Sequence, residues 1–270
     1  MVKVLIPMFY TFYSRFKTTF DKISWMIIYF IPVLALIFTN TTLQLYWLIS
    51  TFLIAVMSVY SLYELGYIEN DVITIKKEKN PTIRIKETEI RYIDNNYKKI
   101  ISLKLLITIT LVLCLIVLDS YLNLNLNIYP FILLFVLMRV VFYLHNSIRN
   151  NFNILTFFLL SFLKYFTVVV LYSSSEKSVY LLFFVMLMFS IPRTLEHSTK
   201  IKYHVIFIQN TIGNHDVFRV KYYFTVLVSL LLLRLFINYN LLYIFIIFWF
   251  LAYRLSVLLA LKFKFLERKK

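Results

Sequence analysis

The chain has 270 residues, of which 61% are hydrophobic and 19% aromatic, and its mean hydropathy is +0.77. Soluble globular domains do not have such a composition, because water cannot solvate so much apolar surface. The formal net charge of +16 does not indicate nucleic acid binding, since the basic residues alternate with apolar segments instead of gathering on one soluble face. The composition predicts an integral membrane protein in a lipid bilayer, with no nucleic acid partner.

Apolar segments long enough to cross a hydrocarbon core of about 30 Å recur along the chain. They occupy residues 23–40, 44–65, 101–119, 128–146, 154–172, 178–192, 222–237 and 241–261. Because lipid offers no hydrogen bonds to the backbone, we expect an all-α, polytopic transmembrane helical bundle of about eight helices. We predict a single integral membrane domain over 1–270, with an interfacial helix in the aromatic and basic segment 1–22.

Positive charge is distributed unevenly among the connecting segments. Lys and Arg concentrate in 1–22, 66–100, 193–221 and 262–270, whereas the opposite loops contain only Lys177. The positive-inside rule places basic loops in the cytoplasm. We therefore expect both termini to be cytoplasmic and the two long loops to cover a central cavity as cytoplasmic active-site loops, in a protein of the bacterial inner (plasma) membrane.

The first long loop becomes densely polar directly after the second apolar segment. If the helix continues out of the membrane there, Asp71, Thr74 and Glu78 recur at i, i+3 and i+7 and share one face. Such a face can hold Mg²⁺, which takes one or two carboxylates together with substrate phosphate oxygens. The alternative is that these residues only solvate the end of a helix.

The second long loop places Glu196 and Lys200 four residues apart, just after another apolar segment. This spacing puts both on one helical face, but such an exposed pair ordinarily contributes only roughly 0.2–0.5 kcal/mol of helix stability.

Three cations, Arg139, Lys164 and Arg254, fall inside predicted spans. A cation in a membrane helix is costly and usually faces a polar cavity or a partner. These residues either form a basic path that holds the phosphate of a lipid acceptor, or they pair with one another's carbonyls or snorkel to the surface.

The two long loops, which become polar directly after an apolar segment on the same predicted side of the membrane, resemble the UbiA superfamily of intramembrane prenyltransferases. That family carries an NDxxDxxxD motif at the end of its second helix and a DxxxD motif after its sixth. Asn70 and Asp71 match the start of the first motif. Thr74 stands at its second acid and Glu78 conservatively replaces its third, while Arg84 resembles the basic residue that follows.

The second motif departs further, because Glu196 stands at one acid and Lys200 at the other. The polyprenyl-phosphate phosphoribosyltransferase branch of the family has a similar YxxxK sequence there. Its donor carries a 5-phosphate besides the diphosphate, and this added charge calls for further cations. Lys77, Arg84 and Arg193 in the two loops are candidates.

The resemblance implies a Mg²⁺-dependent membrane transferase that moves 5-phosphoribose from phosphoribosyl diphosphate to polyprenyl phosphate, giving a lipid-linked phosphoribose donor for polysaccharide synthesis. The metal ligands it implies are Asp71, Glu78 and Asn70, and the catalytic residues are Asp71, Glu78, Glu196 and Lys200. The substrate-binding residues it implies are Asn70, Thr74, Lys77, Arg84, Tyr143, Arg149, Lys164 and Arg193, of which Tyr143, Arg149 and Lys164 look like tyrosine and basic positions common in the family.

Two alternatives stay open. An isoprenyl-diphosphate-dependent aromatic prenyltransferase should keep acids at both motifs, whereas Thr74 and Lys200 replace two of them here. A noncatalytic membrane transporter or scaffold would be favoured by paired Gly or Pro interruptions in the middle of spans, and the sequence has no such pair.

Overall fold

The computed structural model of the protein describes residues 2–77, 81–148, 150–173, 175–237 and 239–265. These residues form helices joined by turns, without a strand among them. The α-helices are α1 (Val2–Leu5), α2 (Phe9–Ser14), α3 (Thr19–Trp25), α4 (Ile31–Phe38), α5 (Leu45–Val72), α6 (Glu87–Asn95), α7 (Tyr97–Leu122), α8 (Ile128–Ser147), α9 (Phe152–Val170), α10 (Ser175–Val185), α11 (Ile191–Ser198), α12 (Ile206–Ile212), α13 (His215–Arg234) and α14 (Leu242–Lys262). Four short turns of other types accompany these helices. Two are π-helical, Met26–Phe30 and Met186–Ser190, and two are 3₁₀ turns, Thr74–Lys77 and Ile201–Tyr203.

Seven helical segments of the described chain are long and apolar enough to cross a membrane. They are Thr19–Phe38, Leu45–Lys77, Tyr97–Leu122, Ile128–Ser147, Phe152–Val170, Val179–Ser198 and Leu242–Lys262. This confirms an all-helical, polytopic membrane protein. The remaining predicted span, 222–237, falls largely in α13, which also carries Asp216, Arg219 and Lys221 and is not one of the seven. The count of eight spans and the cytoplasmic placement of the loops stay predictions.

The chain divides into two compact units, a first unit of Met1–Val179 and a second unit of Tyr180–Lys270. The single membrane domain over 1–270 therefore also stays a prediction.

Helix α5 is the centre of the first unit and packs against α7, α8 and α9. Small residues on α5 allow this close approach. The Ser61 hydroxyl accepts a hydrogen bond of 2.7 Å from Thr108 on α7. A methyl group at Gly66 would overlap the ring of Phe142 on α8, so this glycine is required for the α5–α8 contact.

The N-terminal segment, residues 2–18, precedes helix α3 and is held on the first unit by buried polar contacts. It consists of two short helices separated at Met8, whose φ is +69°, and the prediction of one interfacial helix over 1–22 is wrong in this respect. The backbone N–H of Thr11 donates to Glu64 on α5 at 2.6 Å. Lys104 on α7 pairs with the same carboxylate at 2.7 Å and donates to the carbonyl oxygen of Val4 at 2.9 Å. The side chains of Glu64 and Lys104 are both fully buried, so the pair ties the segment to two helices.

In the second unit, the π-helical turn at Met186–Ser190 leaves main-chain carbonyls without their usual helical partners. The hydroxyl of Tyr222 donates to the carbonyl oxygen of Leu187 at 2.7 Å, and that of Tyr223 donates to Met188 at 2.9 Å. Two tyrosines of α13 therefore fix this turn in place, immediately before α11.

Removing one member of the Glu64–Lys104 pair should destabilise the protein more than removing both charges. Lys104→Met leaves a buried carboxylate without its cation, a change that typically costs about 3–5 kcal/mol. Adding Glu64→Gln removes the charge and keeps an acceptor for the Thr11 N–H, so we expect part of the loss to be recovered. Thermal unfolding in detergent measures both variants.

The control is Lys98→Met, which changes an exposed lysine on the same helix α7 and should alter the free energy of unfolding by no more than about 0.5 kcal/mol. A double variant no more stable than Lys104→Met would contradict the argument from charge.

Candidate functional site

The C-terminal end of α5 carries three carboxylates, and each pairs with a cation from a different part of the first unit. Glu64 pairs with Lys104 of α7. Glu69 pairs with Arg139 of α8 through two hydrogen bonds, of which the Nη1–Oε2 bond measures 2.8 Å. Arg139 therefore pairs with a carboxylate, a partner that neither alternative for the intramembrane cations named. The third carboxylate, Asp71, is the centre of the candidate site.

Asp71 is 2% exposed and accepts hydrogen bonds from four side chains. Arg15 donates to both carboxylate oxygens, at 2.7 and 3.0 Å. Tyr10 donates at 2.9 Å, Arg84 at 3.2 Å and Asn70 at 3.4 Å. Two guanidinium groups therefore converge on one carboxylate.

The charge of Asp71 affects the ionisation of its neighbours. Burial lowers the pKa of Arg15, but the hydrogen bonds and the charge of Asp71 outweigh this effect and raise the pKa overall. Burial, followed by the charge and hydrogen bond of Asp71, raises the pKa of Tyr10. Arg15 is therefore a permanent cation here, and Tyr10 a permanent hydrogen-bond donor.

The surroundings of Asp71 do not fit Mg²⁺. This ion prefers oxygen ligands in an octahedron, whereas both oxygens of Asp71 face guanidinium nitrogens and the Asn70 contact is made by its amide nitrogen. Across the described residues, no group of three or more His, Cys, Asp or Glu side chains is placed to hold a metal. The predicted ligand Glu78 lies outside the described residues, so the magnesium site stays a prediction.

The prediction that Asp71 and Thr74 lie on one α-helix is wrong, and Glu78, the third residue of that predicted face, lies outside the described residues. Helix α5 ends at Val72, and Thr74 begins a 3₁₀ turn that ends at Lys77. The β-branched run Val-Ile-Thr-Ile at residues 72–75 does not by itself explain this end, because a similar run at residues 107–110 lies inside helix α7. Thr74 is buried beyond this end, and Lys77 is exposed.

Lys164 lies buried among tyrosines inside the first unit. It is 5% exposed, and its Nζ is 4.4 Å from the ring centroid of Tyr60 and 4.9 Å from that of Tyr63. The ring of Tyr63 meets that of Tyr67 at 5.0 Å, and the guanidinium of Arg15 lies 4.2 Å over Tyr67. These five residues form a cation–tyrosine column that connects Lys164 to the Asp71 cluster.

Of the remaining predicted substrate-binding residues in the first unit, Tyr143 is not part of this arrangement. Its ring is 63% exposed on α8. Arg149 lies outside the described residues. The column therefore includes one of the three residues, Tyr143, Arg149 and Lys164, that the family resemblance suggested for spans four and five.

In the second unit, Glu196 is bound by a residue that the sequence did not single out. Arg219 of α13 donates to Glu196 at 2.5 and 2.6 Å and to Asp216 at 3.1 Å. Burial lowers the pKa of Arg219, while its hydrogen bonds to Glu196 and the charges of both acids raise it overall. Arg193 is exposed near the start of the same helix as Glu196.

The predicted helical face of Glu196 and Lys200 is not formed. Helix α11 ends at Ser198, and the backbone of Lys200 is extended. The Nζ of Lys200 lies 3.1 Å from Nδ1 of His197, whose Nε2 lies 2.7 Å from the hydroxyl of Tyr203. If Lys200 donates to Nδ1, the imidazole is neutral and donates from Nε2 to Tyr203. Lys200 is thus part of a histidine–tyrosine chain.

Sequence reasoning missed Arg15 and Arg219. Arg15 is separated from Asp71 by 56 positions, so no local spacing connects the two. Arg219 follows Glu196 by 23 positions, with the end of α11, a 3₁₀ turn and helix α12 between them.

Comparison of the chain with protein-family models, curated proteins and solved structures found no match. The functional argument below therefore depends on the arrangement of side chains.

Asp71→Asn should loosen the N-terminal segment. The variant removes the charge that holds Arg15, and a hydrogen bond between charged groups contributes about 1.5–3 kcal/mol. If cleavage follows local opening, trypsin should cut after Arg15 or Lys17 roughly tenfold faster or more. Limited proteolysis in detergent, followed by mass spectrometry, measures this rate.

Asp94→Asn is the matched control, because it breaks the exposed pair of Asp94 with Lys76 in the same unit. Equal cleavage rates in the wild type and in Asp71→Asn would show that the ion pair does not hold the segment.

Proposed function

We propose that the chain is a membrane-embedded transferase that takes phosphoribosyl diphosphate as donor and polyprenyl phosphate as acceptor. The observation that carries the proposal is the cation–tyrosine column, with Arg84 at its Asp71 end. Phosphate groups bind best to preorganised guanidinium and ammonium groups, and Arg15, Arg84 and Lys164 supply three cations in one unit. Motif positions Asn70 and Asp71 add the resemblance to the UbiA superfamily.

Asp71 acts in this proposal as a positioning residue for the two arginines. Its carboxylate fixes the fork of Arg15 and one nitrogen of Arg84. Each guanidinium has five N–H donors, so neither arginine is saturated by Asp71 alone. The side chain of Arg84 is 31% exposed, which makes it accessible to a donor diphosphate.

The reaction requires no catalytic base. An oxygen of the lipid phosphate, already ionised, attacks C1 of the ribose, and the bond between C1 and the diphosphate oxygen breaks. The diphosphate leaves with the electron pair of that bond. Cations placed where this negative charge develops lower the barrier, which is the role we assign to Arg84 and Arg15. Lys164, deeper in the unit, would bind the phosphate of the lipid acceptor.

Magnesium stays a prediction, and no step above requires it. Five other residues also keep their predicted catalytic or substrate-binding roles as predictions only. They are Thr74 and Lys77 in the first unit and Arg193, Glu196 and Lys200 in the second.

Transfer of labelled phosphoribose into the lipid phase tests the proposal. Purified protein is mixed with polyprenyl phosphate and phosphoribosyl diphosphate labelled in the ribose, with Mg²⁺ or with chelator, and the products are separated by thin-layer chromatography. We expect label in the lipid phase. Arg84→Gln should lower kcat/KM by about tenfold to a hundredfold, the factor that corresponds to a lost charge-assisted hydrogen bond.

Arg91→Gln is the control, because Arg91 is an exposed arginine on α6 with a side chain 78% exposed, and its activity should equal that of the wild type. Full activity of Arg84→Gln would show that the Asp71 end of the column does not bind the donor. A parallel reaction with labelled isoprenyl diphosphate and an aromatic acceptor separates the prenyltransferase alternative. No product in either reaction from folded protein would favour a noncatalytic transporter or scaffold.

A further inference from the structure

A groove of about 550 Å³ lies on the first unit between the N-terminal segment and the chain that follows the 3₁₀ turn. It is lined by Phe9, Phe12, Tyr13, Lys17, Lys22, Ile83, Arg84, Ile85 and Lys86. The groove thus combines basic side chains with aromatic and aliphatic ones, and no acidic side chain of the described residues is part of its lining.

All three lysines of the groove are exposed, and none forms an ion pair among the described residues. Within the described chain, Lys17, Lys22 and Lys86 have no carboxylate within ion-pair distance. Asp21 is adjacent to Lys22 in sequence, but its carboxylate accepts the Thr18 N–H at 3.0 Å in the cap of α3. Glu89 lies beside the groove, where it accepts hydrogen bonds from the hydroxyl of Tyr13 and the backbone N–H of Lys86. The three lysines still outnumber these two acids, so the groove favours an anion.

The groove lies where two membrane-length helices end. Lys17 precedes the segment Thr19–Phe38, and Lys22 lies in its first turn. Arg84 and Lys86 follow the segment Leu45–Lys77. Consecutive spans run in opposite directions, so the start of one and the end of the next emerge on the same face of a bilayer. The lysines would then lie at the depth of the lipid headgroups, where basic side chains are favoured.

The apolar lining distinguishes a lipid from a soluble phosphate. Ile83 is 59% exposed, Tyr13 is 41% exposed and Phe9 is 36% exposed. A free phosphate ion would leave these side chains in water, whereas the glycerol and upper acyl carbons of a phospholipid would cover them.

We propose that this groove binds the headgroup of an anionic phospholipid from the surrounding leaflet. Lys17, Lys22 and Lys86 contact its phosphate, and Phe9 and Ile83 contact its glycerol and acyl region. The bound lipid bridges the N-terminal segment and the chain around Arg84, so it strengthens the docking of that segment. The three lysines have no part in the proposed reaction, but Arg84 lines the same groove, so the lipid site adjoins the proposed donor site.

Lipid retention in native mass spectrometry tests the site. Full-length protein in detergent is mixed with phosphatidylglycerol or with phosphatidylcholine, and the bound lipid is counted for the wild type and for the triple variant Lys17→Gln, Lys22→Gln, Lys86→Gln. We expect a preference for phosphatidylglycerol in the wild type. Its affinity should fall by about fivefold for each lysine removed, which corresponds to roughly 1 kcal/mol per basic residue at an anionic surface.

The matched control is Lys98→Gln, Lys99→Gln, Lys221→Gln, which removes the same charge from exposed lysines that do not line the groove. Retained preference in this control, with unfolding temperatures equal to that of the wild type in both triple variants, supports the site. An equal loss in the control would mean diffuse surface attraction and would overturn it. Equal retention of both lipids, or displacement of phosphatidylglycerol by millimolar inorganic phosphate, would also overturn it.

Discussion

The need to pair every buried carboxylate of α5 organises the first unit. An unpaired charge on a membrane helix is costly, so each acid requires a cation from elsewhere in the fold. Glu64 and Asp71 are seven residues apart and therefore lie on one face of α5, while Glu69 lies on another. The N-terminal segment covers the first face through Thr11 and Arg15. The pairing requirement thus decides which elements surround this helix.

The same face of α5 also carries the tyrosines of the column. Tyr60, Tyr63 and Tyr67 precede Asp71 at intervals of three and four residues, which is the spacing of one helical stripe. Arg15 and Lys164 meet this stripe at its two ends. One stripe of α5 therefore contacts Arg15 of the N-terminal segment at one end and Lys164 at the other, so stability and the candidate site share the same contacts.

Sequence reasoning recovers what local pattern determines and misses what depends on distant partners. The membrane helices follow from runs of apolar residues, whereas the end of α5 at Val72 does not, because the sequence predicts that this helix continues past Thr74. The three tyrosines of the stripe can also be found in the sequence, because they are spaced three and four residues apart. By contrast, the partners of Asp71 and Glu196 come from the N-terminal segment and from α13, and a single sequence holds no signal for contacts across such separations.

The two ion pairs near the end of α5 differ in a way that bears on function. Glu69 pairs its one carboxylate with the one guanidinium of Arg139, so the two charges cancel. Asp71 faces two guanidiniums and so leaves one positive charge in a part-buried place. Arg15 alone would neutralise Asp71, so the second guanidinium, whose side chain is 31% exposed, is in excess of what charge balance requires. Binding of an anion at Arg84 restores the balance, and this favours a phosphate ligand over a purely structural role.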